Sequence, residues 1–183
     1  MQKQIVYQRT KSLEELEEIL ALQKRNSPQN IGSLEKEEEG FVTVQHSLSI
    51  LKKMHDVCPH IIAKHNNIII GYALCMLQDF KKDIPVLVPM FNEIDKELST
   101  KNQPLNYLIM GQICIDKKYR KQGVFRGLYT AMKQELQGSF DAIITEVDSA
   151  NTRSSNAHKA IGFKELKKYI FNHQVWELIV LNI

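Results

Sequence analysis

The stretch ICIDKKYRKQGVFRGLYTAMK, residues 113–133, decides the fold. It completes an apolar run over 108–115 that reads as a buried strand, then enters a basic turn and passes at Gly123 straight into a helix over 123–136. Phe125, Leu128, Tyr129, Met132 and Leu136 recur on one face of that helix. A second apolar run over 142–147 and a helix over 151–161 follow. Strand, helix, strand, helix with continuously apolar strands argues a parallel βαβ unit. At the turn, the backbone N–H groups and positive dipole end of a helix attract phosphate, Gly123 lets the backbone come close, and Arg120, Lys121 and Arg126 add charge. The turn reads as a pyrophosphate cradle, although its spacing is neither that of a P-loop nor the Gly-x-Gly-x-x-Gly of a dinucleotide fold. The plainer alternative is that Gly123 only turns the chain.

Working outward, residues 5–9 read as a first strand. Ser12 with Glu15 makes a capping box before an amphipathic helix whose acidic residues lie first and whose Lys24 and Arg25 lie last, as the helix dipole favours. A polar connection over 26–40 holds the run EKEEE, a solvated loop or helix face, and a second helix is expected over 47–54. Strands over 60–64 and 68–77 flank Asn66-Asn67, a pair suited to a tight hairpin. Prolines 85, 89 and 104 bracket about twenty residues that break the alternation, a length that marks an insertion or lid. Strands over 163–171 and 173–181 close the chain.

Composition bounds the rest. The chain has 183 residues, 43% apolar and 25% charged, with a net charge of +3 and no basic block, so we expect one domain over 1–183 and no nucleic-acid partner. Three scattered cysteines and a polar N-terminus point to a reducing, cytoplasmic setting, and the longest apolar run, 68–77, is too short to span a membrane. His60 and His65 lack partners at ligand spacing, so no metal is expected.

A second informative stretch is TEVDSANTRSSNAHKAIGF, residues 145–163. Asn151 is a natural N-cap, and Asn151, Ser154, Ser155 and His158 fall on one face of the helix it starts, projecting a polar stripe from the end of a buried strand. Gly162 stops that helix. The alternative is that Asn151 only caps and His158 lies on the surface.

Together the two stretches resemble the GCN5-related N-acetyltransferase (GNAT) family, which moves an acetyl group from acetyl-CoA to an amine. The family's Arg/Gln-x-x-Gly-x-Gly/Ala signature is met at Arg120 and Gly123, with Phe125 in place of its last small residue. The later motif of Asn, a Tyr seven residues on and then Gly-Phe is met at Asn151 and Gly162-Phe163, with His158 at the tyrosine position, as in a branch reading NxRSxxxHxxxGF. The match is specific over 107–163. Element order extends it over nearly the whole chain, including Glu39-Gly40-Phe41 and Ile70-Gly71-Tyr72.

The resemblance implies an α+β fold: a single domain with a central, mostly antiparallel sheet, a parallel βαβ cofactor-binding unit and flanking helices. It implies acetyl-CoA held by the backbone of Ile113, Cys114 and Ile115, by Arg120 and the turn Lys121, Gln122, Gly123, Val124, Phe125 and Arg126, and near Asn151. It also implies direct attack by the amine of a small-molecule or peptide acceptor. His158 then stands where the family's tyrosine donates to the leaving sulfur, a task an imidazolium can perform. Glu146, ionisable on an otherwise apolar strand, is the candidate base, its alternative being a structural carboxylate. Cys114 is either a packing residue or the nucleophile of a two-step route. The 85–104 segment is expected to wall the acceptor pocket, with Phe91, Ile94 and Leu98 packing inward and Glu93, Asp95 and Glu97 offering an acidic face to an amine; covering a sheet edge or forming a homodimer contact is the other reading. A protein that binds acetyl-CoA as a sensor, without turnover, is the alternative function.

Overall fold

Short-range signals set most element boundaries. The computed structural model describes residues 4–27, 44–100 and 104–183. After β1 (Val6–Arg9), the Ser12 hydroxyl accepts the Glu15 amide at 3.4 Å and starts α1 (Leu13–Arg25), which buries Leu16, Ile19 and Leu22. Ser47 likewise accepts the Ile50 amide and starts α2 (Leu48–Val57). Asn66 and Asn67, at φ 51° and 63°, turn β2 (Ile61–His65) into β3 (Ile68–Met76). This is the left-handed pair that a two-residue hairpin requires. The connection over 28–40, its EKEEE run and Glu39-Gly40-Phe41 lie outside the described residues.

The remaining elements are α3 (Val88–Ser99), β4 (Tyr107–Ile115), α4 (Val124–Leu136), β5 (Ala142–Asp148), α5 (Thr152–Lys159), β6 (Lys164–Phe171) and β7 (Gln174–Asn182). The strands run in the order β1-β2-β3-β4-β5-β7-β6. Tyr107–Ile109 pair with Ala142–Ile144 in parallel, whereas β1 with β2, β2 with β3, β5 with β7 and β6 with β7 are antiparallel. The mostly antiparallel sheet with one βαβ crossover is therefore the fold the sequence implied.

The chain forms two compact units. The first draws on Met1–Cys75 and Met110–Glu135, the second on Met76–Ile109 and Leu136–Ile183. In the first, Ile61, Ile62, Tyr72, Leu74, Leu51 and Leu128 are wholly or almost wholly buried, each large apolar side chain contributing about 1.5–3 kcal/mol. His60 belongs to this core. Its Nδ1 accepts the Cys75 amide at 3.1 Å and its Nε2 meets the Leu51 carbonyl at 3.3 Å, so burial leaves a neutral ring with a pKa lowered to about 3. In the second unit, Phe91 and Ile94 on α3, Ile143 and Ile144 on β5, and Leu178 and Ile179 on β7 are buried.

Gly71 on β3 fixes how the cradle helix sits in the first unit. A Cβ there would stand 3.2 Å from the Cys114 carbonyl of β4, 3.3 Å from Val124 and 3.4 Å from Leu128 of α4. Only a hydrogen fits without displacing strand or helix. We predict that Gly71→Val costs about 1–3 kcal/mol, the usual penalty for overpacking, seen as a lower urea midpoint at unchanged slope. An unaltered midpoint would show that β4 and α4 yield freely.

Candidate active site

The cradle belongs to the first unit. Beyond β4 the chain makes one 3-10 turn, Lys117–Tyr119, and reaches Arg120. The Arg120 Nη2 donates to Asn26 Oδ1 at 2.6 Å and its Nε to the Ile115 carbonyl at 3.2 Å. Arg120 thereby braces the end of β4 against the end of α1, a role beyond the added charge expected of it. Lys121 takes φ 61° and Gly123 φ 81°, with Gln122 outside the left-handed region. Alternation of this kind turns successive amides toward one point, an anion-binding nest. The first bond of the α4 ladder is the Gly127 amide to the Gly123 carbonyl at 3.0 Å, so the amides of Val124, Phe125 and Arg126 precede it and point along the helix axis.

Space agrees with this geometry. A Cβ on Gly123 would meet nothing within 4 Å, in contrast to Gly71. Lys121, Gln122 and Arg126 are exposed, and Val124 is buried. Phe125, the departure from the family signature, lies half-buried edge-on to Tyr129, ring centroids 5.1 Å apart. Ile113 and Ile115 are half-exposed, and between them Cys114 is buried, with burial pushing its thiol up to about 12.

Asn151, Glu146 and His158 belong to the second unit. Asn151 Oδ1 accepts the Ser154 amide at 3.0 Å and caps α5 as expected. His158 is not on the surface: it is 2% exposed, edge-on to Phe163 at 5.1 Å. Its Nδ1 lies 2.8 Å from the Ser154 carbonyl, which can only accept, so Nδ1 carries the proton and Nε2 the lone pair. Burial lowers its pKa to about 4, the Ser154 bond opposing this. Near neutrality the ring is uncharged, so the expected imidazolium donor gives way to a neutral imidazole.

Glu146 meets a residue that sequence reasoning missed. The Tyr169 hydroxyl on β6 donates to Glu146 Oε2. Register explains the meeting: Glu146 is opposite Leu178, Asp148 opposite Trp176, and Trp176 opposite Tyr169. A bulge between Glu165 and Lys167 sets the phase that puts Lys167 and Tyr169 on the Glu146 face. Burial raises the Glu146 pKa to about 7 against the lowering effect of the tyrosine bond. On the opposite face, Ser155 donates to Glu177, which Lys168 also contacts at 3.1 Å.

The helix of the 85–104 segment is α3, with Phe91 and Ile94 buried as expected and Leu98 half-buried. Two of the three carboxylates of its acidic face, Glu93 and Asp95, are ion-paired. Lys167 and Lys96 hold Glu93 at 2.7 and 2.6 Å, and Lys81 holds Asp95 at 2.9 Å. Among the described residues no cluster of His, Cys, Asp or Glu is placed to hold a metal, and no helix is long and apolar enough to cross a membrane.

The sequence model of the acetyltransferase (GNAT) family matches residues 14–163. No curated protein matches the sequence. Among solved structures, the ribosomal-protein-S18-alanine N-acetyltransferase of Escherichia coli is similar at 13% identity and a TM-score of 0.65, covering 98% of this chain and 94% of that one. Ard1 of Thermoplasma volcanium gives 10%, 0.65, 98% and 97%. NAA60 of Arabidopsis thaliana, solved with acetyl-CoA, gives 13%, 0.66, 98% and 100%. At these identities the likeness is one of fold.

Glu146 titration tests the geometry of the second unit directly. In carbon-13 NMR its carboxyl should titrate near pH 7, and Tyr169→Phe, by removing the donor to the charged form, should move the midpoint higher. A wild-type midpoint near the ordinary carboxylate value of about 4.3, or one unmoved by the substitution, contradicts the arrangement.

Proposed function

Because the chain belongs to the acetyltransferase (GNAT) family, we propose that its segment 113–126 holds acetyl-CoA while Glu146 and His158 manage the protons of direct transfer to an acceptor amine. One observation carries the reading of the cradle. Gly123 sits at a helix start in a left-handed conformation, with open space where any side chain would project. The amides of Gly123, Val124, Phe125 and Arg126 are then the donors to the pyrophosphate, with Lys121, Gln122 and Arg126 around it. Arg120 serves by fixing the loop. Ile113, Cys114 and Ile115 offer extended backbone to the amides of the pantetheine arm, and Asn151 holds the start of α5. Phe125 turns its ring onto Tyr129, which leaves its amide to the cradle.

Acetyl-CoA supplies an activated acyl group, and an amine can attack it only after losing its proton. Glu146, at about 7, is ionised enough near neutrality to take that proton and basic enough to want it. An α-ammonium, near 7.7–8.0, lies about one unit above this base, a cost of about 1.4 kcal/mol; a lysine ε-ammonium near 10.4 lies more than three units above. The acceptor we favour is accordingly an α-amine, of an amino acid or a peptide N-terminus. His158, neutral and protonated at Nδ1, offers Nε2 as a proton acceptor or as a fixed dipole. Helix α3 contributes a packed wall. We read the setting as cytoplasmic from the three free thiols.

Two measurements follow. Calorimetry should find CoA binding abolished in Gly123→Glu with the fold retained, because the carboxylate enters the open volume over the amides; unchanged affinity in a folded variant would sink the cradle. With CoA release followed over a panel of amino acids, peptides, polyamines and aminoglycosides, Glu146→Gln and His158→Asn should each lower turnover about 100-fold or more at near-normal CoA affinity. Near-full turnover in both across the pH range assigns the proton work elsewhere.

A further inference from the structure

Two of the three cysteines meet in the first unit. Cys58 follows α2 as its C-terminal cap, and Cys75 lies on β3. The register Ile61↔Ala73 and Ile62↔Tyr72, continued outward, sets Pro59 opposite Cys75, with Cys58 next to it. The two thiols influence each other's protons, Cys75 lowering the pKa of Cys58 and Cys58 raising that of Cys75. Both backbones are pinned, Cys58 N–H to the Met54 carbonyl at 2.9 Å and Cys75 N–H to His60 Nδ1 at 3.1 Å. Arg9, opposite Ile61 on the neighbouring strand, brings its Nη1 to 3.8 Å from Cys58 Sγ. Its other edge is fastened, Nε to Glu135 Oε2 at 2.8 Å and Nη2 to the Glu135 carbonyl at 2.6 Å. The cation is thus held against the sulfur.

The two thiols are unequal. At Cys58 the effects of Cys75 and Arg9 outweigh burial and hold the thiol below its ordinary value. Cys75, beside Cys58 and fully buried, is pushed far up. The negative end of the α2 dipole opposes a thiolate at Cys58, and the Arg9 guanidinium offsets it. Cys58 keeps 6% of its surface exposed, whereas Cys75 has none. A thiolate beside a neutral thiol is the arrangement of an attacking cysteine and its resolving partner.

We propose that Cys58 is a peroxide-reactive cysteine and Cys75 its resolving partner, closing a reversible disulfide when hydrogen peroxide is present. The Cys58 thiolate attacks one peroxide oxygen, so that an S–O bond forms, the O–O bond breaks, and the departing hydroxide takes a proton to become water. The Cys75 sulfur then attacks the Cys58 sulfenyl sulfur; the S–S bond forms, the S–O bond breaks, and the Cys75 proton leaves with the hydroxide as a second water. Two thiols have lost two electrons to one peroxide. Neither cysteine belongs to the segments assigned to acetyl-CoA or to proton transfer, so the modification stands apart from the proposed chemistry.

The test uses the full chain without any acetyl donor. After treatment with hydrogen peroxide at neutral pH, denaturing alkylation and digestion without reductant, mass spectrometry should find a peptide pair joined through Cys58 and Cys75. Dithiothreitol should separate the pair, and Cys114 should remain alkylated throughout. Dimedone should label Cys58 in a Cys75→Ser chain, and Arg9→Gln should slow disulfide formation about tenfold, the effect of roughly one unit in thiol pKa. The wild-type measurement alone decides if a variant fails to fold. Three alkylated cysteines after peroxide, a link to Cys114 instead, or Cys58 driven to sulfinic acid beside a free Cys75 overturns the proposal, and an undiminished rate in folded Arg9→Gln removes Arg9 from it.

Discussion

A missing side chain at Gly71 is the constraint on which the first unit depends. Where a Cβ would stand, the Cys114 carbonyl, Val124 and Leu128 already lie at 3.2, 3.3 and 3.4 Å. Strand β4 and the first turn of α4 can therefore be close neighbours, and the eight residues between Ile115 and Val124 must double back sharply. Two left-handed residues, Lys121 and Gly123, accomplish the reversal. A non-glycine in that region costs roughly 1–2 kcal/mol. Burial of Val124, Leu128, Tyr129 and Met132 along α4 easily covers such a cost. The converging amides of the cradle are thus a by-product of a tight strand-to-helix reversal, held open because Arg120 is tied to Asn26 and Ile115.

In the second unit, two glutamates on adjacent strands show how partner chemistry decides proton affinity. Glu177 is 4% exposed, yet its pKa is lowered, because the Ser155 hydroxyl donates to it and Lys168 and Lys159 sit at 3.1 and 3.7 Å. At Glu146 the pKa is raised to about 7, because burial is opposed by a single neutral hydroxyl. A cation stabilises a carboxylate far more than a phenol does once water is excluded. The sheet separates the two environments by alternation: Glu177 pairs with Val147 and Lys168 on one face, Glu146 with Leu178 on the other. A structural carboxylate and a candidate base are therefore distinguished by which face they occupy.

What could be read from the chain was local. Ser12, Ser47 and Asn151 each act as the caps their side chains allow, Asn66-Asn67 turns where two tolerant residues adjoin, and Gly123 stands in the turn before α4, where it was read. What could not be read depends on register and on distant partners. Tyr169 reaches Glu146 through two antiparallel pairings and a bulge at Leu166, and no spacing in the sequence encodes that bulge. The acidic face of α3 read as open because Lys167 and Lys81, 74 and 14 residues from their partners, were invisible as neighbours. His158 read as a residue that could lie on the surface, since nothing local reveals that its ring is packed on Phe163 and bonded back to Ser154.

Charge states also bear on the direct transfer proposed above. A cysteine on the cofactor strand invites a mechanism in which the sulfur first takes the acetyl group, and such a step needs the thiolate. Burial holds the Cys114 pKa at about 12, with Arg120 opposing it too weakly to matter. Near neutrality this leaves Cys114 as the neutral thiol, a poor nucleophile. Under the proposed reaction the amine faces a smaller barrier, because an α-ammonium would pass its proton to a carboxylate of pKa about 7 for about 1.4 kcal/mol. The leaving CoA sulfur, with a thiol pKa near 8.5, also departs as a reasonably stable thiolate, so its protonation asks little of a neutral His158. In the proposed reaction the energetic weight falls on deprotonating the acceptor, which supports direct transfer over a covalent route.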